Sequence, residues 1–321
     1  MKSILLSALK PLVSIASGLG KRKKLSIFIY HRVHAETDFM NPDEVTAEKF
    51  LWQMELMAQH FNVLPLADAI DALKNDSLPP RAVCITFDDG YADNYLQALP
   101  ILNKFSLPAT FFIASGYLNG GRMWNDSVTE AVRVWPESVL DLTELELGKF
   151  DISSPSQKKQ VAGEIVQKLK YLPPGQRQQH TDYFVKQSAA LPDNLMLNTN
   201  QLKQLHAAGM EVGGHTVSHP IIANIDNVQL KQELIENKQV LESILNTTLR
   251  FFAYPNGKPG QDYLSGQIDM IKQCGYQAAL TTQWGVAQQQ SDLWQLPRYT
   301  PWDNDPAKFM MRMAHIYKQP F

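Results

Sequence analysis

Cysteine is scarce, two residues in 321. Two cysteines cannot build a disulfide framework, so a folded core must hold the chain, and a chain this long buries roughly 75% of its unfolded surface. Cys84 lies in the apolar run AVCITF and reads as a small buried hydrophobe, while Cys274 precedes Gly275 at an expected helix end. No bridge between them is expected. Charge of one sign is also lacking. With 30 basic and 32 acidic residues the net charge is −2, so no global basic field draws the chain to nucleic acid. No apolar stretch reaches the ~18 residues that a spanning helix needs. Internal repeats and low-complexity tracts are absent, and 44% hydrophobic with 19% charged residues is ordinary globular composition. That excludes disordered, collagen-like and coiled-coil chains.

Residues 1–24 stand apart. Ser3, Ser7, Lys10, Ser14 and Ser17 recur every three or four positions among apolar residues, and Lys21-Arg22-Lys23-Lys24 follows. This is helical amphipathicity ahead of a basic cluster. Three readings fit it: a helix lying on an anionic membrane face, a helix packed on the protein body, or a signal peptide. Lys10 and Pro11 interrupt the run, and a strand-like segment starts at Leu25 without a spacer, which disfavours the last. The expectation is a cytoplasmic location or peripheral contact with the inner membrane face through residues 1–24. Export is the alternative.

From Leu25 onward, short apolar strands alternate with helices. Strands are predicted at 25–30, 61–65, 82–87, 109–114, 210–214, 250–254, 277–282 and 295–299, and helices at 46–60, 94–105, 199–208, 227–246 and 305–318. Several strands are continuously apolar, as in a parallel sheet covered on both faces. The rhythm predicts an α/β fold of βαβ units, and seven or eight strands suit a barrel. Residues 119–198 break the pattern, being rich in Gln, Ser and Lys with a Pro173-Pro174-Gly175 interruption. They are expected to form a helical insertion, a lid or subdomain, between barrel parts 25–118 and 199–321.

Chemistry-bearing residues fall at predicted strand ends. AVCITF runs into Asp88-Asp89-Gly90, MEVGG into His215-Thr216-Val217-Ser218-His219, LSIFIY into His31, RFFAY into Pro255-Asn256-Gly257 and QLP into Arg298. In an α/β barrel these ends open on the active-site face. One carboxylate and two histidines suit zinc with positions left for water, and the His-x3-His spacing puts both rings on one side of a turn. A neighbouring carboxylate diverges from the first and is free to act as a base on water that the metal activates. Amide hydrolysis also needs an acid for the leaving amine, and His31 is the candidate. Each motif alone has a plainer explanation: a turn, a coincidence among eight histidines, a core histidine. Their joint placement makes the case.

Thr86-Phe87-Asp88-Asp89-Gly90, His215-Thr216-Val217-Ser218-His219 and Phe252-Ala253-Tyr254-Pro255-Asn256-Gly257 resemble, in order, the first three motifs of the polysaccharide deacetylase (NodB homology) family. Coverage runs from about Leu25 to Trp302 outside the insertion. The resemblance implies a distorted (β/α)7-8 barrel and metal-dependent removal of acetyl groups from N-acetylated sugars. It makes Asp88 the base, gives the metal to Asp89, His215 and His219, and assigns part of the oxyanion hole to the backbone N–H near Asn256, beside Tyr254. The implied cofactor is a divalent metal, Zn2+ first, with Co2+, Ni2+ or Fe2+ as alternatives. Two departures stand out. The arginine of the family's usual Arg-Pro-Pro-Tyr-Gly is missing, so Arg298, rather than Arg250, is expected to orient the base. The late Leu-x-His is missing too, and Tyr30-His31 is similar to the early Tyr-His of permuted biofilm-polysaccharide deacetylases, which favours His31 as the acid. Trp124 and Asp126 open the insertion. Trp124 is placed on a loop over the site, where it either stacks on a sugar or anchors the insertion. The expected partner is an acetylated polysaccharide or a lipid-linked amino sugar, and no nucleic acid. The rival functions are hydrolysis of an O-acetyl ester or another amide at the same site, and a non-catalytic carbohydrate-binding barrel in an assembly complex.

Overall fold

The structure is a computed structural model and describes residues 2–18 and 23–318. Its strands are β1 Leu25–Tyr30, β2 Val33–His34, β3 Val45–Thr46, β4 Asn62–Val63, β5 Ala82–Phe87, β6 Thr110–Ile113, β7 Val139–Leu142, β8 Gly148–Asp151, β9 Glu211–Gly214, β10 Phe251–Ala253, β11 Ala278–Trp284 and β12 Leu296–Arg298. Eight of them form one sheet in the order β1-β5-β6-β9-β10-β11-β12, with β4 added beside β5, and every pairing is parallel. The sheet returns on itself. The Ile29 N–H donates to the Tyr299 carbonyl at 2.9 Å and the Tyr299 N–H to the Ile27 carbonyl at 2.8 Å, joining the end of β12 to β1. The fold is therefore the distorted α/β barrel expected from the strand count.

Alternation along the strands decides what faces where. Leu25, Ile27, Cys84, Phe112, Ala253, Leu280 and Leu296 form one buried cluster, against which the helix Leu66–Lys74 packs Leu66, Ile70 and Leu73. The residues between them face the surrounding helices. Tyr30, Phe87 and Phe111, neighbours in register on β1, β5 and β6, stack at 5.4 and 4.7 Å against Phe50 of the helix Ala47–His60. The next residues on two of these strands, His31 and Asp88, consequently turn to the opposite side, at the barrel mouth. Both cysteines are free, Cys84 buried and Cys274 half-buried.

The segment between β6 and β9 carries the helices Trp124–Val134, Pro155–Lys170 and Pro174–Gln187. It is not helical throughout. Val139–Leu142 and Gly148–Asp151 pair antiparallel, Val139 opposite Asp151. Leu140 and Leu142 are buried while Val139 and Asp141 face out, a period-two pattern too short and too charged to stand out in the sequence. These elements share a separate small core around Val128, Leu140, Ile165 and Phe184. The N-terminal helix Lys2–Ala16 lies on the body, with Val13 and Ala16 buried and Leu12 and Ile15 outward. Ser17 Oγ accepts from the Arg81 N–H at 2.9 Å, tying the end of that helix to the barrel. Lys21 and Arg22 of the basic cluster lie outside the described residues. Among the described residues, no helix is long and apolar enough to cross a membrane.

Candidate active-site cleft and metal centre

The parallel strands deliver Asp88 and Asp89 (after β5), His215 and His219 (after β9), Asn256 (after β10) and His31 (after β1) to one cleft of about 370 Å³. The two adjacent carboxylates there meet opposite environments. Asp88 is bound end-on by Arg298 of β12, Nη1 to Oδ1 and Nη2 to Oδ2, both at 2.7 Å. Both side chains are buried, at 2% and 0% exposure. Arg298 is oriented by its Nε–H, which donates to the Thr281 carbonyl at 2.8 Å, and by the Phe112 ring beneath it. Burial by itself would raise the carboxyl pKa of Asp88, but the Arg298 guanidinium outweighs it and holds the group below the usual range. Arg250 pairs instead with Glu211, away from Asp88.

Asp89 turns the other way because its backbone is left-handed, φ 77°. Its Oδ1 lies 3.3 Å from His215 Nε2 and 3.4 Å from His219 Nε2, is buried, and makes no hydrogen bond. His215 Nδ1 lies 2.7 Å from the Ala253 carbonyl, which can only accept. That bond fixes the tautomer and points a bare Nε2 at the carboxylate. Burial pushes the His219 pKa down to about 3, so its ring is neutral near pH 7. One ligand atom from each of the three residues falls within 4.8 Å of the others. An orphaned carboxylate oxygen facing two imidazole nitrogens, one of them turned by a carbonyl behind it, is a donor set that fits a divalent cation.

Backbone strain gathers at the same rim, with positive φ at Asp89, Thr216 (65°), His219 (51°) and Asn256 (59°). The helix Asn227–Leu245 holds the His-x3-His turn in place. Glu233 Oε2 accepts from the N–H groups of Val217 (2.7 Å) and Ser218 (2.9 Å), and Oε1 from Ser218 Oγ (2.6 Å). One turn on, buried Asn237 accepts from the His215 N–H at 3.2 Å and donates to the Ile113 carbonyl at 2.9 Å and to the Thr216 carbonyl. A Cβ on Gly214 would meet Asn237 Oδ1 at 2.8 Å and the Tyr276 hydroxyl at 2.1 Å, so this approach requires glycine. Sequence reasoning missed both Glu233 and Asn237. A signal existed for Asn237, a polar residue among Leu230, Leu234 and Leu241 on the buried face of the helix.

Half-buried His31 lines the cleft, and its carbonyl accepts from Asn94 Nδ2 at 2.8 Å. Asp93 braces the same loop through Arg32 Nε (2.8 Å) and the Val33 N–H (3.1 Å). Asn256 lines the cleft as well. Its carbonyl accepts from Thr282 Oγ1 at 2.5 Å, while its N–H bonds to no other described residue.

Three expected site residues sit differently. Tyr254 does not face the cleft: its fully buried ring stacks on Tyr263 at 3.8 Å and its hydroxyl donates to the Trp294 carbonyl. Strand alternation turned it outward. Trp124 opens a helix instead of lying on a loop. It borders the cleft but is 8% exposed, with its ring under the Arg177 guanidinium at 4.9 Å, so it anchors the insertion. Asp126 is buried and engaged, accepting from the Tyr91 hydroxyl (3.2 Å) and the Met123 N–H (3.0 Å). It lines an adjoining cavity instead of the main cleft. Burial raises its pKa to about 7.

A family model described as polysaccharide deacetylase matches residues 75–140 and 175–279, more than half of the chain. The poly-beta-1,6-N-acetyl-D-glucosamine N-deacetylase of Staphylococcus aureus (strain N315) is 26% identical over 206 residues, covering 60% of this chain and 68% of that protein. The structure of the Streptococcus pyogenes deacetylase PplD in complex with acetate superposes with a TM-score of 0.62 at 21% identity, over 91% of this chain and 99% of that one. IcaB from Ammonifex degensii does so with 0.58 at 18%, over 92% and 97%. At such identities the structural likeness speaks for the barrel, and the sequence match for descent: the chain belongs to the polysaccharide deacetylase family.

Proposed function

We propose that this chain is a metal-dependent hydrolase that removes N-acetyl groups from amino-sugar-containing glycans, the activity named for its Staphylococcus aureus relative. The observation that supports it best is the division of labour between adjacent carboxylates. Asp88 is locked on Arg298, and Asp89 leaves a bare oxygen toward two imidazoles. Asp89, His215 and His219 would hold the cation, zinc being the first candidate for this donor set. When bound, it supplies Lewis acidity toward the acyl oxygen and makes water more acidic. Asp88, kept ionised by Arg298, takes the proton of the attacking water. The unclaimed Asn256 N–H donates to the developing oxyanion. His31, at the end of the neighbouring strand β1, gives its proton to the departing amine, and acetate and a free amino sugar leave.

The test is acetate release from N-acetylglucosamine oligomers by metal-loaded protein, run beside acetyl esters of the same sugars. Release from the amide, abolished in Asp88→Asn while metal content stays at wild-type level, is the expected result. Ester-only turnover would reassign the site to O-deacetylation. Protein that binds no metal and turns over neither substrate would return it to a carbohydrate-binding role.

A further inference from the structure

The cleft has two walls of different origin. The barrel supplies Asp88 and Asp89, whereas the insertion supplies Gln167 and Lys170 from the helix Pro155–Lys170 and Arg177 from the helix Pro174–Gln187. Arg177 is unusual. It is 6% exposed, and among the described residues its guanidinium has no hydrogen bond or ion pair. Its ring contact is the Trp124 face, 4.9 Å away, and Glu233, Tyr117 and His219 lie within electrostatic reach without bonding to it. Every other arginine buried to this degree among the described residues, namely Arg298, is clamped on a carboxylate. Guanidinium groups carry five N–H donors, and those of Arg177, bonded to no described residue and not sealed from solvent, are open to water or to a ligand in the cleft that the residue lines. Trp124 covers one face of the plane, so the donors spread around the edge, toward the cleft that Arg177 lines. Lys170, half-buried on the same wall, holds its ammonium over the Tyr171 ring at 5.6 Å, with Asp262 as its nearest electrostatic partner but no salt bridge among the described residues.

We infer that Arg177, with Lys170 beside it, forms an anion subsite in the cleft that selects acetamido sugars bearing a phosphate or carboxylate group on the reacting sugar or its neighbour. The inference rests on the deacetylase reading and narrows its substrate class from neutral glycans to anionic ones. A planar fork suits either anion, because both offer paired oxygens. The anion lies on the insertion wall, and the acetamide is thereby presented to the barrel wall that carries Asp88 and Asp89. Arg177 is a specificity residue on this account and takes no part in the proton transfers.

Two measurements test it. The first is binding by calorimetry of N-acetylglucosamine 1-phosphate, N-acetylglucosamine and inorganic phosphate to the full chain, with metal and after chelation. The expected result is a preference of about tenfold or more for the phosphorylated over the neutral sugar, surviving chelation and falling to near one in Arg177→Met, with Arg177→Lys intermediate. Chelated protein that binds both sugars alike, or an Arg177→Met variant that keeps the preference, overturns the subsite. The second is the ratio of kcat/KM for oligomers with a uronate or phosphate neighbour to that for neutral oligomers, which should drop in Arg177→Met and, to a lesser degree, in Lys170→Met. A phosphate-only preference points to a phosphodiester or pyrophosphate-linked sugar, and a preference shared by uronates to an acidic polysaccharide; either supports the subsite. Loss of all acetate release with the binding preference intact would sink the deacetylase reading and leave the subsite standing. Thermal unfolding of each variant separates loss of the Trp124 contact from loss of the donors, since Arg177→Lys and Arg177→Met should then differ in preference at equal stability.

Discussion

Replacing Arg298 by methionine removes the charge and donors from Asp88 while retaining most of the buried volume. Both partners are essentially inaccessible, and two 2.7 Å bonds are lost at once. Breaking a buried pair from one side costs about 3–5 kcal/mol. For a chain of this size that lowers Tm by roughly 4–7 °C. The pH dependence carries the sharper signature. In the wild type Asp88 has a depressed pKa, so its ionisation stabilises the fold above the unfolded carboxylate range, and that contribution is lost as pH falls through the lower folded value. Without Arg298, burial, the largest influence on the group, is opposed only by the nearby imidazoles of His215 and His31, and the folded pKa of Asp88 rises. The variant then pays most at pH 8 and progressively less toward pH 4. Adding Asp88→Asn should recover much of the loss at pH 8, because a neutral amide replaces the stranded charge; the Thr281 carbonyl, still without its donor, limits the recovery. Turnover follows the same logic. A protonated Asp88 is no base, so acetate release should fall about 10²–10⁴-fold at pH 7, with the acidic limb of the rate profile moved upward. Equal destabilisation at pH 5 and pH 8, together with no recovery in the double variant, would refute the assignment of Arg298 as the partner that keeps Asp88 ionised.

Other outcomes follow from the same geometry. Asp89→Ala, His215→Ala and His219→Ala should each lose the divalent cation by metal analysis, whereas Asp88→Asn should retain it. His31→Gln should slow release from sugar acetamides by about 10²–10⁴-fold but spare aryl acetates, whose leaving group needs no proton; equal loss on both would remove His31 as the acid. Asn237→Leu or Glu233→Gln should weaken metal affinity about 10–100-fold without touching a ligand, measured by competition with a chromogenic chelator. Asp126 has a folded pKa raised to about 7, so folded protein holds its proton more tightly than unfolded chain does. Stability should therefore decline from about pH 4 to pH 7 on its account, and Asp126→Asn should flatten that slope in thermal unfolding.

Much of the barrel was written in local pattern. LSIFIY and AVCITF are strands along their whole predicted lengths, and the helix after Asp226 runs as its apolar spacing suggested. The two strands are buried at every position and so read as unbroken apolar runs, while the helix buries one face and keeps its period in the sequence. The helix Leu66–Lys74 was missed although Leu66, Ile70 and Leu73 recur at helical spacing, whereas the helix Ser265–Gln273 and the four-residue strands of the β7–β8 hairpin show too little pattern and are fixed by what they pack against. Pro65 cut the strand expected at 61–65 to Asn62–Val63.

The chain order of Asp88-Asp89, His215-x3-His219 and the strand-end Arg298 was enough to name the chemical groups and their candidate roles. Partnership was another matter. Which arginine reaches Asp88 depends on β12 closing against β1 across the ring, a contact between residues 210 positions apart. Whether Tyr254 faces the cleft depends on one step of strand alternation, and whether Trp124 is free depends on Arg177 lying over it. A linear chain specifies which atoms are available; distance and burial, which set charge state and hydrogen bonding, exist only after the ring has closed.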